Sequence, residues 1–189
     1  MFPLMLDLAQ VSVLLAGADE KLLRRLKNLD ASGAQRLKVF TEQADPELRA
    51  LAGPRLTLHL PTGEDFTGVS LLLVAGLARP KAASIAELAR KRHILVNVED
   101  DKIHCDFYYP SVLRRGDLVV AVSTGGKSPT LARVVRERIE DVFGKAWAGY
   151  THEIAQKRLA WRAEGRKPEE VESLSRSYIE AQGWLKEPA

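Results

Sequence analysis

Cysteine and long apolar runs are both scarce in this chain of 189 residues. The single cysteine, Cys105, excludes a disulfide within the chain and fits a reducing compartment. No apolar run approaches the roughly 18 residues that a membrane span needs. The apolar N-terminus lacks a basic region and is interrupted by Pro3 and Asp7, so it does not resemble a signal peptide. We therefore expect a soluble, cytoplasmic protein with no membrane partner.

An excess of charge of either sign is also lacking. Lys and Arg number 28 against 25 Asp and Glu, a net charge of +3, which does not predict a nucleic-acid partner. Hydrophobic residues make up 46% of the chain, which is enough for a packed core. The length allows one large domain or two small ones.

The N-terminal part of the chain predicts a strand, a turn of small residues, a helix and a second strand. Residues 11–15 form the first β-rich run, residues 16–18 form the turn, and Asp19 is a candidate N-cap for the helix. Residues 37–42 predict the second strand. This order is typical of a βαβ dinucleotide-binding unit, in which Glu42 occupies the position that accepts the ribose hydroxyls.

The turn departs from the G-x-G-x-x-G fingerprint, because it consists of Ala16, Gly17 and Ala18. In that fingerprint one glycine serves the tight turn and another lets the backbone approach the pyrophosphate, so each added methyl matters. On this motif alone, a structural turn and a cofactor-binding turn both stay open.

Further strands and a helix continue the α/β pattern as far as about residue 110. Residues 55–60 alternate like a half-exposed strand, and residues 70–75 form a continuous apolar run suited to a central parallel strand. A helix is predicted over residues 80–91 and leads into a strand at residues 94–98. This alternation predicts an α/β domain.

Residues 97–129 hold the densest set of chemical groups in the sequence. Asp100 and Asp101 follow a buried-looking strand, at the position where open α/β sheets place their ligand crevice. A run of small residues then precedes a helix and is suited to hold an anion with its backbone N–H groups. That run consists of Ser123, Thr124, Gly125, Gly126, Lys127 and Ser128.

The chain after Pro110 has a different pattern. The very apolar strand at residues 118–122 has no crossover helix before it, which leads us to expect that it pairs with another chain. Ser128 and Pro129 predict the start of a helix. Two more helices follow, separated by residues 165–168, and an aromatic stripe on the first is either core or the wall of a flat ligand site.

A metal site at His104, Cys105 and Asp106 is not expected, because consecutive residues of an extended segment point to alternating sides. No metal site is therefore predicted in this chain.

Several stretches of the sequence together point to a known family. They are FPLMLDL near the N-terminus, the strand that enters the glycine turn, ILVNVEDD at residues 94–101, and CDFYYPSVLRRGDLVVAVSTGGKSPTLARVVRERIE at residues 105–140. With the helical tail, they resemble the siroheme synthase family, precorrin-2 dehydrogenase/sirohydrochlorin ferrochelatase. Members of that family use NAD to oxidise precorrin-2 to sirohydrochlorin, and some also insert ferrous iron.

The resemblance implies a homodimer with three parts. They are a Rossmann-like NAD-binding domain at residues 1–110, a dimerisation segment with the STGGKSP turn at residues 111–144, and a helical domain at residues 145–189. It places the key aspartate on Asp100. The cofactor-binding positions fall on Gly17, Ala18, Asp19, Glu20, Glu42 and Gln43.

The tetrapyrrole substrate is a polycarboxylate, which cationic groups and backbone N–H donors would bind. The predicted substrate-binding residues are Arg114, Arg115, Ser123, Thr124, Gly125, Gly126, Lys127 and Ser128. Asp100 could act as the base that accepts the proton in the oxidation, and again in a chelation step, whose metal substrate would be ferrous iron or cobalt.

Two cofactor-facing segments depart from the family pattern, and they suggest alternatives. The family usually has three glycines at residues 16–18 and Thr-Asp-Asp at residues 76–78, where this chain has Gly76-Leu77-Ala78. The first alternative is a tetrapyrrole-binding chelatase or carrier that has lost NAD-dependent activity. The second is a regulatory or assembly module whose two-helix tail binds a partner.

Overall fold

The computed structural model describes residues 2–185. These residues form two compact units, divided between Tyr108 and Tyr109. Residue 1 and residues 186–189, the extreme ends of the predicted first and last domains, lie outside the described residues.

The first unit is built on a parallel sheet. Its strands are β1 (Ser12–Gly17), β2 (Arg36–Phe40), β3 (Leu56–Thr57), β4 (Leu71–Ala75) and β5 (Leu95–Val98). Its helices are α1 (Asp19–Asp30), α2 (Pro46–Ala52) and α3 (Arg79–Arg90). The strand order is β3-β2-β1-β4-β5, and every neighbouring pair is parallel. This arrangement confirms the predicted Rossmann-like α/β fold.

Burial follows from the alternation of side chains along the strands. Leu14 and Ala16 of β1 pack in a cluster with residues of α3, whereas Val13 and Leu15 pack in a second cluster with residues of α1. Both faces of the sheet are therefore covered by helices, which explains why β4 is apolar and buried at all of its positions.

The pairing of the strands creates a switch point beside β1. β1 lies between β2 and β4, and Gly17 at its carboxyl end stands opposite Ala75 at the end of β4. Along the chain, β2 and β3 follow on one side of β1, and β4 and β5 then follow on its opposite side. Open α/β sheets bind their ligands at this kind of crevice.

Two details of the first unit differ from the predictions. The helix α2 was not predicted, although Asp45 caps it by accepting a hydrogen bond from the Leu48 N–H at 2.7 Å, and Pro46 begins it. The strand predicted at residues 55–60 is confined to the two residues of β3, because its one partner, β2, ends at Phe40, opposite Thr57.

The second unit contains a hairpin followed by three helices. The hairpin joins β6 (Ser111–Arg115) and β7 (Leu118–Val122), and the helices are α4 (Pro129–Val142), α5 (Trp147–Ala163) and α6 (Pro168–Gln182). The prediction that residues 118–122 pair with another chain missed their partner within the chain, since β7 pairs antiparallel with β6. Within residues 2–185, no helix combines the length and apolarity needed to cross a membrane.

The aromatic stripe of α5 packs against aromatic rings on α6 and just beyond it. The rings of Tyr150 and Trp184 are stacked with centroids 4.5 Å apart, and Trp147 meets Tyr150 edge to face at 5.6 Å. Tyr178 contacts Trp184 edge to face and donates a hydrogen bond to Glu153. These contacts favour a role for the stripe in the packing of the second unit.

Candidate dinucleotide site at the switch point

A cavity of about 930 Å³ opens beside the carboxyl ends of β4 and β5. It is lined by the first turn of α1 (residues 19–21), by the segment after β4 (residues 76–79, with Ala82), and by residues 98–103 after β5. The cavity therefore lies at the switch point of the sheet, where the fold predicts a ligand.

Two glycines allow the segments around this cavity to approach closely. A Cβ on Gly17 would overlap the carbonyl oxygen of Ala75, and a Cβ on Gly76 would overlap the carbonyl oxygen of Ala18. The N–H of Ala18 donates to the Ala75 carbonyl at 3.0 Å. Gly17 thus keeps the role that a glycine has in a dinucleotide turn, which is close packing of strand, turn and helix.

The alanines on either side of Gly17 do not obstruct this arrangement. Ala16 is fully buried and belongs to the core cluster that includes Leu14 and Val74. Ala18 is half-buried and precedes α1 as its N-cap in an extended conformation. The departure from the glycine fingerprint therefore falls partly on a core position.

The start of α1 presents backbone donors to the cavity. Helix geometry leaves the N–H groups of Asp19, Glu20 and Lys21 without an acceptor inside the helix, and the helix dipole favours an anion at this end. Asp19 has a φ of +58°, uncommon for a residue other than glycine. A phosphate held here by backbone groups would lie near the exposed carboxylates of Asp19 and Glu20, whereas the ammonium of Lys21 on the same turn pairs with Asp100.

The two aspartates that follow β5 have different environments. The Asp101 side chain is 7% exposed, lies 3.0 Å from His104 Nδ1, accepts the Ile103 N–H at 3.1 Å and pairs with Arg79 at 3.3 Å. The hydrogen bond with His104 is the main cause that lowers the pKa of Asp101 below its ordinary value. Asp100 is 77% exposed and pairs with Lys21. Asp100 is therefore the aspartate that is open to a ligand.

The residues predicted at the end of β2 lie outside the lining of this cavity. Glu42 is exposed and forms an ion pair with Lys81 of α3 at 2.6 Å. The buried Thr41 hydroxyl donates to the Gln43 carbonyl at 2.7 Å and so fixes the turn that carries both predicted residues. Gly17 and Ala18 are also not among the residues that line the cavity, whereas Asp19, Glu20 and Asp100 are.

The glycine-rich turn lies in the second unit. Thr124 Oγ1 donates to the Ser128 carbonyl at 2.9 Å, and Ser128 Oγ caps α4 by accepting the Leu131 N–H at 3.1 Å. Gly125 and Gly126 both have positive φ, so the turn requires glycine at these two positions. Many of the hydrogen-bonding groups of the turn are therefore engaged within the turn itself or in capping α4.

The predicted cations of the second unit are of two kinds. Arg115 donates to Glu140 at 2.8 Å and to the Phe143 carbonyl at 2.9 Å, joining β6 to the C-terminal end of α4. Hydrogen bonds from Arg115 and then Arg136 lower the pKa of Glu140. Arg114 and Lys127 are exposed.

Sequence reasoning missed the charged partners of the cavity aspartates. Lys21 and Arg79 bond to Asp100 and Asp101 respectively, and neither was a candidate. The sequence does show a lysine in the first helical turn after the glycine. However, 79 positions separate Lys21 from Asp100, so the sequence alone does not indicate that they pair.

The parallel sheet, its switch point, the close-packed glycine turn and the exposed start of α1 define a Rossmann-type dinucleotide-binding protein. A comparison with known families agrees. Residues 4–111 match the family described as putative NAD(P)-binding, and the chain belongs to that family. Residues 115–141 match the family described as sirohaem biosynthesis protein central. Together these matches confirm the predicted resemblance to the siroheme synthase family, and they support NAD as the cofactor.

Curated relatives give the same family. The chain is 38% identical over 162 residues to siroheme synthase 1 of Pectobacterium atrosepticum, covering 85% of this chain and 33% of that protein. It is 33% identical over 180 residues to the siroheme synthase of Sodalis glossinidius, covering 92% of this chain and 36% of that protein. The chain thus spans about a third of the length of the curated relatives that it matches.

A solved structure supports the fold. The structure named SirC, precorrin-2 dehydrogenase, has a TM-score of 0.79 against this chain at 24% identity, and the match covers 98% of this chain and 93% of that one. The likeness extends over both units.

Proposed function

We propose that this protein is an oxidoreductase that uses NAD to oxidise precorrin-2 to sirohydrochlorin in siroheme biosynthesis. The observation that carries the proposal is the exposed Asp100 carboxylate, which lines a cavity at the switch point of an NAD(P)-binding fold. The names of the curated relatives and of the solved structure specify the tetrapyrrole chemistry.

The residues present fit NAD. Gly17 gives the backbone approach that the turn requires, and the first turn of α1 offers N–H groups for the pyrophosphate. We assign Gly17, Ala18, Asp19 and Glu20 to this end of the cofactor. Glu42 and Gln43, just beyond β2, are assigned to the ribose. The retained glycine contact argues against the carrier that has lost its cofactor.

Bound NAD would supply the hydride acceptor, and the protein would handle the proton. Oxidation of the substrate releases one hydride and one proton, and a positioned carboxylate can accept the proton. Asp100 Oδ2 is engaged by Lys21, which leaves Oδ1 to accept the proton from the substrate. Asp101 is unsuited to this role because its carboxylate is buried and bonded to His104.

The second unit is assigned to the tetrapyrrole carboxylates. Arg114 and Lys127 would bind them, with the turn at residues 123–128 holding Lys127 in place, and the match of residues 115–141 to the sirohaem central family supports this assignment. Arg115 contributes in a different way, because its guanidinium already holds Glu140 and the Phe143 carbonyl.

A homodimer formed through residues 111–144 is part of the proposal. Helix α4 carries four apolar side chains that are at least 38% exposed. They are Leu131, Val134, Val135 and Val142. A second copy of the chain would remove this apolar surface from water. The helical domain at residues 145–189 would complete the three-part organisation.

Insertion of ferrous iron or cobalt into sirohydrochlorin is the second candidate activity. It is favoured by the name siroheme synthase that the relatives share, since siroheme contains a metal. Asp100 would again accept protons, here from pyrrole nitrogens as the metal enters. Mixing the protein with sirohydrochlorin and cobalt under anaerobic conditions should change the visible spectrum faster than cobalt alone.

The proposed dehydrogenase is tested by incubating purified protein with precorrin-2 and NAD without oxygen. NADH and sirohydrochlorin should form in equal amounts, and NADP should serve less well because Glu42 repels a ribose phosphate. Absence of NADH at saturating NAD would contradict the proposal. Formation of metallated product without NADH would favour the chelatase.

A further inference from the structure

The Asp100 carboxylate is held from a different element of the fold. Lys21 Nζ on the first turn of α1 lies 2.7 Å from Asp100 Oδ2. The Asp100 side chain is largely exposed, so burial does not fix its orientation. Asp100 also has a φ of +62°, a conformation that only a few per cent of residues other than glycine adopt. A specific contact is therefore needed to define where the carboxylate points.

Lys21 is itself fixed on two sides. Its ammonium lies 3.7 Å from Glu99 Oε2, a buried oxygen that has no hydrogen-bond partner among the described residues. The Glu99 side chain is 12% exposed, and its other oxygen accepts from Arg24 at 2.7 Å and from Arg25 at 3.5 Å. Three cations of α1 therefore tie this helix to the residue that precedes Asp100.

The charged partner of Asp100 differs from those of its neighbour Asp101, because Asp100 pairs with Lys21 of α1. Asp101 is paired with Arg79 of α3 and bonded to His104. Asp19 and Glu20 from α1 and Lys102 from the loop after β5 complete the charged lining. Hydrogen bonding to Asp100 raises the pKa of Lys21 above its ordinary value, so the ammonium stays charged at neutral pH.

We propose that Lys21 is the positioning residue of the base. It binds Asp100 Oδ2 and leaves Oδ1 directed at the substrate, so that α1 sets both the cofactor cradle and the orientation of the carboxylate. This inference rests on the proposed dehydrogenase function. It gives α1 a second role beside anion binding at its N-terminus, which is to orient the Asp100 carboxylate.

Three variants test this role. Lys21→Met removes the ammonium and retains most of the apolar stem, Lys21→Arg restores a cation, and Lys27→Met removes a lysine of the same helix that pairs with Glu47 outside the cavity. For Lys21→Met we expect kcat to fall by about tenfold to a hundredfold, the loss that misplacement of a reacting group produces. KM for NAD should change by less than about twofold, as expected when the lost interaction orients the reaction and does not bind the cofactor. Lys21→Arg should recover most of kcat, and Lys27→Met should match the wild type.

A spectroscopic readout tests the same contact without turnover. In protein labelled at the aspartate side-chain carboxyl carbons, the Asp100 signal should shift in Lys21→Met and remain in place in Lys27→Met. An unchanged kcat together with an unchanged Asp100 signal would overturn the inference. A higher KM for NAD at unchanged kcat would also overturn it, because Lys21 would then be a cofactor ligand. If the wild type forms no NADH, the proposed function fails, and the carboxyl signal alone decides whether Lys21 positions Asp100.

Discussion

The two units of this protein solve the problem of burial differently. In the first unit, a five-stranded sheet is covered on both faces and supplies nearly all of the fully buried apolar side chains. In the second unit, the buried apolar side chains among the described residues are Leu113, Ala132 and Val171. The first unit has a core of its own, whereas the second displays apolar surface on α4. The difference teaches that the dinucleotide site rests on a well-packed core, whereas the second unit leaves apolar surface that the proposed dimer would cover.

The largest effect is expected from a methyl group in the tightest part of the first unit. In Gly17→Ala, the added Cβ would overlap the Ala75 carbonyl, and the contact is with backbone that cannot move aside cheaply. We expect a loss of about 3 kcal/mol in the free energy of unfolding, the upper part of the range for overpacked cores. Denaturant unfolding followed by circular dichroism measures it.

The same substitution, glycine to alanine, should stabilise the second unit when it is made at Gly149. Gly149 lies within α5 and has open space around its Cα, so Gly149→Ala adds a methyl without a clash. This variant should be more stable by about 1 kcal/mol, because alanine is the better helix former. Equal destabilisation by both variants would remove the contrast between the units.

Association of the second unit is tested at Leu131, which is 54% exposed on α4. Leu131→Glu should convert the dimer to a monomer at micromolar concentration, because a charge cannot be buried unpaired in an apolar interface. Sedimentation velocity measures the change. Glu137→Gln on the same helix, at an exposed position, should leave the dimer intact. A monomeric wild type would refute the proposed dimer.

Acid should reveal the role of Asp101 in the first unit. The pKa of its carboxyl in the folded protein lies below the ordinary value of 3.8, chiefly through the His104 hydrogen bond. Its contribution to stability is therefore present above the unfolded pKa and is lost as the pH falls through the folded pKa. As the pH falls below about 4, the stability of the wild type should begin to approach that of Asp101→Asn. Parallel unfolding curves from pH 7 to pH 3 would contradict this.

The smallest effect concerns the single cysteine. Cys105 Sγ lies 3.1 and 3.2 Å from the carbonyl oxygens of Val98 and Asp101, to either of which its single S–H can donate, and burial raises the pKa of the thiol. Since the thiolate is the reactive form, alkylation by iodoacetamide at about pH 8 should be slower than that of free cysteine. Unfolding in denaturant should abolish the difference. Fast alkylation of the folded protein would show that the loop after β5 opens readily.

Much of the first unit was predictable because its periodicity is local. The apolar runs of β1 and β4 and the position of Asp100 after β5 followed from strand patterns and from the ligand rule for parallel sheets. The helix α2 was missed even though Asp45 and Pro46 mark its start. Its seven residues are too few to show a convincing helical period.

Contacts between distant residues could not be predicted from one sequence. Asp100 and Asp101 are identical in type, and they differ in partners that only the fold supplies. These are Lys21 of α1 for Asp100, and Arg79 of α3 with His104 for Asp101. The pairing of β7 with β6 likewise depends on the turn at Gly116, whose φ of +58° requires a residue that tolerates the left-handed region.

The contrast between the two neighbouring aspartates provides the most direct test of the account. We would measure NADH formation from precorrin-2 and NAD for wild type, Asp100→Asn and Asp101→Asn, together with the free energy of unfolding of each. Asp100→Asn should lose activity by about a hundredfold or more at unchanged stability, the scale of a lost general base. Asp101→Asn should lose stability and keep more of its activity. Full activity in Asp100→Asn would contradict the central claim that this carboxylate accepts the proton.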